Sequence, residues 1–208
     1  MDTTPTVRRW RHRLPHWEVE GRFHFITIRC EGSLPSEVIV RLREIQENLK
    51  KISGSSREFI EQQRRYFITG EKYLDRGNGW TPFEIPDACE ACLGALQVMA
   101  DEGWPVESAV IMPNHVHMLI RRDDSEYGLR AILKRFKGRS GRWVNQALSR
   151  EGSLWQEDWF DRWMRDEWEV RKTKKYIKLN PVKAGLANSP EEFRWYFPRL
   201  RAAGNELI

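Results

Sequence analysis

Short runs of β-branched and aromatic residues predict three strands in this chain. The first is Arg22 to Arg29, with the sequence RFHFITIR, which is rich in residues that favour extended structure. The other two, Val106 to Met112 and His115 to Arg121, lie on either side of the pair Pro113-Asn114. Two strand-like runs around a turn-forming pair indicate a hairpin or a bent strand.

Apolar residues that recur every three or four positions predict helices between the first and second strands. These helices are Ser36 to Lys51, about Arg57 to Asp75, and Asp87 to Glu102. Asp87 is the expected N-cap of the third helix, and Gly103 is expected to end it.

The last third of the chain predicts further helices. Ser125 to Ser149 is predicted as one or two basic helices, interrupted between Gly138 and Gly141. Asp166 to Leu179 is predicted as a helix that ends at Asn180-Pro181, because a residue before proline is pushed out of the α region.

Two segments have no clear periodicity. Residues 1–20 are predicted to form an irregular basic arm, and Leu154 to Trp163 is aromatic and irregular. The chain has no internal repeat and no low-complexity linker, so residues 1–208 are expected to form one domain of mixed α and β structure.

The net charge of +5 hides a segregation of charges along the chain. Seven basic residues and no acid occur from Leu129 to Arg150, and six basic residues and no acid occur from Arg171 to Lys183. Clustered cations are typical of a protein that binds a polyanion, although a solvated helix face gives the same pattern.

Composition also limits the location of the protein. No stretch approaches the roughly 20 apolar residues that span a bilayer, and three cysteines, an odd number, do not indicate a disulfide framework. We therefore expect a soluble, cytoplasmic protein that does not bind membranes.

The sharpest local feature is His115-Val116-His117 inside an apolar strand. Side chains alternate across a strand, so both histidines project to one face while Val116 projects to the other. Two imidazoles on one face can chelate a divalent ion. Two ordinary surface histidines on an edge strand would give the same pattern.

A second feature is the pair Tyr176 and Asn180, which lies within the basic run that ends at Lys183. At positions i and i+4 of a helix, the two side chains point the same way. A phenol can act as a covalent nucleophile, and cations or a metal near the target phosphate favour its attack. A packing tyrosine followed by a capping asparagine is the plainer alternative.

These features occur together in segments that resemble a known family. VIMPNHVHMLIRR, from Val110 to Arg122, resembles the M-P-N-H-x-H-x-L block of the IS200-type, or Y1, tyrosine transposases, and the REP-associated subgroup in particular. Further segments resemble the family in the same order along the chain: LPHWEVEGRFHFITIR (Leu14 to Arg29), LKRFKGR (Leu133 to Arg139), LWQEDWFDRWMRDEWE (Leu154 to Glu169) and KYIKLNPVKAGL (Lys175 to Leu186).

The resemblance implies a fold and a set of site residues. The fold would be α+β, a ferredoxin-like antiparallel sheet flanked by helices, with the histidines on a central strand. His115 and His117 would be the metal-binding histidines, Tyr176 the nucleophile, and Asn180 a third metal ligand. Residues 34–88 are longer than the family core requires and would be a helical insertion, to which the sequence assigns no function.

The resemblance also implies the reaction and its cofactor. Mg²⁺ or Mn²⁺ would bind the scissile phosphate, and Tyr176 would attack in line to give a 5′-phosphotyrosine and a free 3′-OH. A second 3′-OH can reverse this step, so the enzyme would cut and rejoin single-stranded DNA near hairpin-forming repeats without ATP.

DNA recognition is expected from basic and aromatic residues outside this centre. Trp10, Trp143 or Trp155 could stack exposed bases, and arginines and lysines suit phosphates. The predicted DNA-binding residues are Arg8, Arg9, Arg11, Arg13, Arg130, Lys134, Arg135, Lys137, Arg139, Arg142, Lys172 and Lys175.

Other functions fit less of the sequence. Cys89 and Cys92 suggest zinc or a nucleobase deaminase, but that chemistry requires H-x-E and P-C-x-x-C, so we interpret them as core cysteines. A catalytically silent hairpin-binding protein derived from a transposase is the main alternative. The resemblance to the REP-associated subgroup favours a monomer over a dimer, and the sequence does not identify the target DNA.

Overall fold

A computed structural model describes residues 7–11, 14–52, 56–77 and 79–201. It contains seven strands and five α-helices in that part of the chain. The strands are β1 (Val7–Arg11), β2 (Pro15–Val19), β3 (His24–Arg29), β4 (Val106–Met112), β5 (His115–Ile120), β6 (Phe160–Trp163) and β7 (Tyr196–Phe197). The helices are α1 (Ser36–Lys51), α2 (Arg57–Leu74), α3 (Pro86–Asp101), α4 (Leu129–Ala147) and α5 (Glu167–Lys183).

Five strands form one antiparallel sheet in the order β6-β3-β5-β4-β7. Along the chain, β3 is followed by helices, then by the β4–β5 hairpin, then by α4 and β6. This is the β-α-β-β-α-β order of a ferredoxin-like fold, so the predicted fold class is confirmed. The strand that carries the two histidines, β5, lies at the centre of the sheet.

Helices cover both faces of the sheet. Ile26 of β3 and Met118 of β5 belong to a core shared with α3 and α4, which cover one face. Phe25 and Leu119, which point the opposite way, pack with Ile177 of α5 on the other face. None of the helices in the described part of the chain is both long and apolar enough to cross a membrane.

The bounds of α1 agree with the predicted helix, and α2 and the β4–β5 hairpin agree within one residue. The start of α3 differs. It begins at Pro86, and its N-cap is Ile85, with no capping hydrogen bond from a side chain. Asp87 lies in the first turn, where its charge still faces the positive end of the helix dipole.

Two predicted helix breaks are wrong. The helix α4 continues through Gly138 and Gly141, because tertiary packing against the sheet outweighs the low helix propensity of glycine. The helix α5 continues through Asn180-Pro181 and ends at Lys183. Proline lacks an N–H to donate to the carbonyl four residues earlier, but Pro181 is buried, and its packing offsets that loss.

Two segments predicted as irregular are ordered. Within the predicted arm, Val7–Arg11 and Pro15–Val19 pair as the strands β1 and β2, and Phe160–Trp163 forms the edge strand β6. The strand β6 pairs with β3, which is distant in the chain, and β1 and β2 depend on pairing with each other. Periodicity within one short segment therefore does not reveal either pairing. Arg13 lies outside the described residues, as does the side chain of Arg11.

Candidate active site

The strand β5 places the two histidine side chains side by side on the face covered by α5. His115 and His117 are both fully buried, and their Nε2 atoms are 3.1 Å apart. Val116 packs into the core on the opposite face. Two ring nitrogens at this distance on a rigid central strand form a pair that a single ion can bridge.

The turn residue Asn114 orients the first histidine. His115 Nδ1 lies 2.7 Å from Asn114 Oδ1, while Asn114 Nδ2 donates to the carbonyl of Leu74 at 3.2 Å. Because that carbonyl can only accept, the amide orientation is determined, and Oδ1 accepts from Nδ1–H of His115. His115 Nε2 therefore presents its lone pair to the site.

The second histidine is oriented from the neighbouring strand. His117 Nδ1 lies 2.8 Å from Thr27 Oγ1 on β3, and the ring stacks on Phe25 with the centroids 5.4 Å apart. His117 Nε2 faces a carboxylate oxygen, Glu71 Oε2, at 3.1 Å. A carboxylate can only accept a hydrogen bond, so His117 Nε2 carries a proton that it donates to Glu71. A bound cation would take the place of this proton.

Glu71 is a member of the site that the sequence interpretation missed. It lies on α2, within residues 34–88, and the ligand atoms of Glu71, His115 and His117 all lie within 4.8 Å of one another. One signal was available: Glu71 falls on the buried face of α2, between Gly70 and Leu74. An acid on a buried helix face requires a partner.

The helix α5 brings the predicted nucleophile to the same carboxylate. Tyr176 donates a hydrogen bond from its hydroxyl to Glu71 Oε2, and its ring meets Phe25 edge to face at 5.8 Å. Asn180 Nδ2 donates to the Tyr176 hydroxyl at 3.0 Å. Asn180 Oδ1 is buried and has no hydrogen-bond partner within the described residues.

Electrostatics keep His115 and Glu71 in the forms that a metal requires. Burial, together with the charge of His117, lowers the pKa of His115 from 6.5 to about 3, so this ring is neutral. Burial alone would raise the pKa of Glu71, but the charge and hydrogen bond of His117 lower it to about 2. Burial and the Glu71 carboxylate raise the pKa of Tyr176 well above 10, so the phenol keeps its proton.

This donor set fits a divalent cation. Two neutral imidazoles alone bind a hard ion weakly, whereas the Glu71 carboxylate and the orphaned Asn180 Oδ1 are the oxygen ligands that Mg²⁺ and Mn²⁺ prefer. Within the described residues, Glu71, His115 and His117 are the only group of histidine, cysteine and acidic side chains arranged to hold a metal. Cys89 and Cys92 are buried in the core instead.

The predicted DNA-binding residues fall into two groups. Arg135 and Arg139 both bind Glu102, and Lys137 donates to the carbonyls of Gln156 and Glu157, so these three already have partners within the chain. Exposed side chains without an ion-pair partner in the described part of the chain are Arg8, Arg9, Arg130, Lys134, Arg142, Lys172 and Lys175.

The candidate stacking residue Trp155 was wrongly chosen. It is buried in the core and donates from Nε1 to Ser140 Oγ at 2.8 Å. Trp10 is half-buried and stacks on His16 with the ring centroids 5.5 Å apart. Trp143 is half-buried and packs against the main core.

Comparisons with known proteins agree with the sequence. Residues 90–180 match the family model described as transposase IS200 like, which confirms the resemblance noted above. A solved REP-associated tyrosine transposase bound to a REP hairpin has 13% sequence identity and a TM-score of 0.47, covering 90% of this chain and 80% of its own. No curated protein matches the chain significantly.

Proposed function

We propose, from the IS200-like transposase segment at residues 90–180, that this chain cuts and rejoins single-stranded DNA with Tyr176 as nucleophile. The observation that carries the proposal is a continuous set of contacts. The Tyr176 hydroxyl donates to Glu71 Oε2, and that oxygen lies 3.1 Å from His117 Nε2, which lies 3.1 Å from His115 Nε2. A phenol and three metal-ligand atoms converge on one point.

His115, His117 and Glu71 would hold Mg²⁺ or Mn²⁺, with Asn180 Oδ1 as a further ligand. A bound ion would polarise the scissile phosphate and stabilise the charge that develops on its oxygens. Asn114 and Thr27 support this role because each binds the ring nitrogen opposite the one that faces the site.

Tyr176 is the group that forms the covalent bond. Its oxygen attacks the phosphorus as the phenol loses its proton, and the bond from phosphorus to the 3′ oxygen breaks. The 3′ oxygen takes up a proton, so one fragment leaves with a 3′-OH while the 5′ phosphate of the other fragment stays on the tyrosine. Glu71 and Asn180 hold the phenol from two sides, which limits its rotation before the attack. One phosphate ester replaces another, so a second 3′-OH can reverse the step.

The substrate class we propose is a single-stranded tract beside a DNA hairpin. The exposed cations of α4, Arg130, Lys134 and Arg142, are suited to phosphates of a stem, because they have no acidic partner in the described residues. The exposed cations of α5, Lys172 and Lys175, lie near Tyr176 in sequence and would meet the single strand.

The test is a covalent-adduct assay. The protein is incubated with Mg²⁺ or Mn²⁺ and a pool of labelled hairpin oligonucleotides that carry randomised single-stranded flanks. We expect a labelled protein band that survives denaturation, requires the metal and is absent from Tyr176→Phe. Sequencing of the captured DNA then identifies the target.

Two outcomes separate the alternatives. An adduct that persists in Tyr176→Phe would reject this residue as the nucleophile. Tight hairpin binding without an adduct from any member of the pool would instead support a catalytically silent DNA-binding protein.

A further inference from the structure

A groove with a volume of about 810 Å³ runs between α2 and α5, with β6 along one side. Tyr176 lines it, so the groove opens onto the proposed nucleophile. The α2 wall of the groove lies outside the residues that match the transposase family, because the match begins at residue 90.

The α5 side of the groove presents aromatic and cationic groups in a row. Trp168, Lys172 and Tyr176 are spaced four residues apart and share one helix face. Trp168 is 59% exposed, and the ammonium of Lys172 lies 4.6 Å from the centre of its ring. An indole this exposed lacks the stabilisation of burial, and a partner that covers it would restore that stabilisation.

The α2 side is complementary. Ile60, Arg64 and Ile68 are also spaced four residues apart, and they line the groove opposite α5. The described residues contain seven exposed large hydrophobic side chains, and three of them, Ile60, Ile68 and Trp168, lie in this groove. Clustered exposed apolar surface marks a binding site, whereas scattered residues do not.

The charges in the groove favour an anionic occupant. Arg64, Lys172 and Lys183 line it and make no ion pair with the described part of the chain. The two acids of the lining are neutralised: Glu169 binds Arg162, and Asp161 binds His16. The unpaired charge is therefore positive.

We propose that this groove binds the single-stranded tract that flanks the scissile phosphate, with an unpaired base stacked on Trp168 and phosphates on Arg64, Lys172 and Lys183. The inference rests on the proposed function and deepens it. A duplex would not stack on Trp168, because its base faces are already stacked on one another. A single strand can place an unpaired base on the indole while its phosphates follow the cations of the groove. The helix α2, which also carries Glu71, thereby forms one wall of the substrate site.

The experiment measures binding without cleavage, on the full chain in a Tyr176→Phe background. The probes are a fluorescein-labelled oligonucleotide of about 12 thymidines and a blunt DNA hairpin without a tail. Fluorescence anisotropy gives both affinities for Trp168→Ala, Trp168→Phe, Arg64→Ala and Lys172→Ala. Lys72→Ala is the matched control, because Lys72 is an exposed cation of α2 outside the groove.

Trp168→Ala should weaken oligothymidine binding about 5- to 150-fold, the loss expected for one stacked base, and Trp168→Phe should recover most of it. Arg64→Ala and Lys172→Ala should each reduce the slope of log affinity against log salt by about 0.7. Lys72→Ala should change neither quantity, and hairpin binding should be retained in Trp168→Ala.

Unchanged oligothymidine affinity in Trp168→Ala would overturn the inference, as would an equal loss on the blunt hairpin. A wild-type dimer that Trp168→Ala converts to a monomer, with no loss of DNA binding, would assign the groove to a second copy of the chain instead. The adduct assay keeps the two proposals separate. If an adduct forms at Tyr176 but Trp168→Ala does not change oligothymidine affinity, only the groove proposal is rejected. If oligothymidine affinity depends on Trp168 but no adduct forms, only the cleavage proposal is rejected.

Discussion

Each histidine of the site is oriented by a hydrogen bond to its far ring nitrogen. Asn114 Oδ1 accepts from His115 Nδ1, and Thr27 Oγ1 lies within hydrogen-bond distance of His117 Nδ1. Such outer contacts select the tautomer and hold the ring plane. Asn114 also binds the Leu74 carbonyl at the end of α2, so one residue links the orientation of His115 to the helix that carries Glu71.

The substitution Glu71→Gln tests the carboxylate as a metal ligand. The amide keeps an oxygen that can accept from Tyr176, but it removes the negative charge beside His117. We expect Mn²⁺ affinity, measured by calorimetry, to fall at least about 10-fold, because removing even a partner that only orients a ligand costs that much. Glu61→Gln, an exposed position on the same helix, is the control. Equal Mn²⁺ affinity in wild type and Glu71→Gln would exclude Glu71 from the ligand set.

At the scale of single elements, the continuation of α5 through Pro181 determines the geometry of the site. Had the helix ended before the proline, Asn180 would have left the helical register. Because α5 runs to Lys183, Tyr176 and Asn180 remain one turn apart and their side chains are in contact at 3.0 Å. The continuous helix therefore keeps an amide next to the phenol.

The continuity of α4 leads to a stability prediction. A Cβ at Gly138 would meet no atom within 4 Å, and the position is helical and exposed. Gly138→Ala should raise the free energy of unfolding in urea by about 0.5–1 kcal/mol, because alanine loses less backbone entropy on folding. A decrease would mean that the helix is interrupted here in solution.

Gly103 provides the contrast. Its φ is +82°, and a Cβ would lie 2.2 Å from the Asp124 carbonyl oxygen, which belongs to rigid backbone. Gly103→Ala should therefore lower the free energy of unfolding by more than about 1 kcal/mol in the same urea experiment.

At the scale of the whole molecule, a buried ion cluster attaches the β1–β2 hairpin to the sheet. His16 on β2 is fully buried between Asp161 on β6 and Asp158, with Nε2 2.9 Å from Asp158 Oδ1. The same hairpin reaches α4, where Glu18 Oε2 accepts from the N–H of Leu129 at 3.0 Å. One cation, His16, and one acceptor, Glu18, thus connect the β1–β2 hairpin to distant parts of the chain.

This cluster predicts a pH-dependent stability. Burial would lower the pKa of His16, but its two aspartate partners raise it from 6.5 to about 9. Protonated His16 therefore stabilises the folded state fully below pH 6.5, by at most about 3 kcal/mol. That contribution decreases between pH 6.5 and about 9 and is absent above it. Urea unfolding of wild type and His16→Gln across this range should give curves that converge as the pH rises.

The comparison with His16→Gln is necessary because a neighbour titrates in the opposite sense. Burial lowers the pKa of Lys137, near Asp158, to about 8, so this group favours the folded state as the pH rises above that value. Both proteins keep Lys137, so the difference between their curves isolates His16. A difference that does not depend on pH would show that His16 stabilises the fold only by packing.

Net charge makes a further prediction for the molecule as a whole. With a charge of +5 and exposed cations on α4 and α5, hairpin binding should release counterions from the DNA. The affinity, measured by anisotropy, should fall at least about 10-fold between about 50 and about 200 mM salt. A flat salt profile would contradict phosphate binding by these helices.

The local pattern of the sequence determined much of this protein. Alternation within VIMPNHVHMLIRR is enough to place His115 and His117 on one face of a strand, because the side-chain period of a strand is two. The spacing of Tyr176 and Asn180 likewise requires only the helical period. The bounds of α1 and the β4–β5 hairpin follow from the same local regularities.

Only the tertiary structure decided the rest. Glu71 lies 46 residues before His117, and nothing in its own segment indicates that α2 packs beside the central strand. The groove depends in the same way on how α2 and α5 are placed, and β6 depends on pairing with β3. Periodicity reports which face of an element is buried, whereas the partner of that face is set by packing between segments distant in the chain.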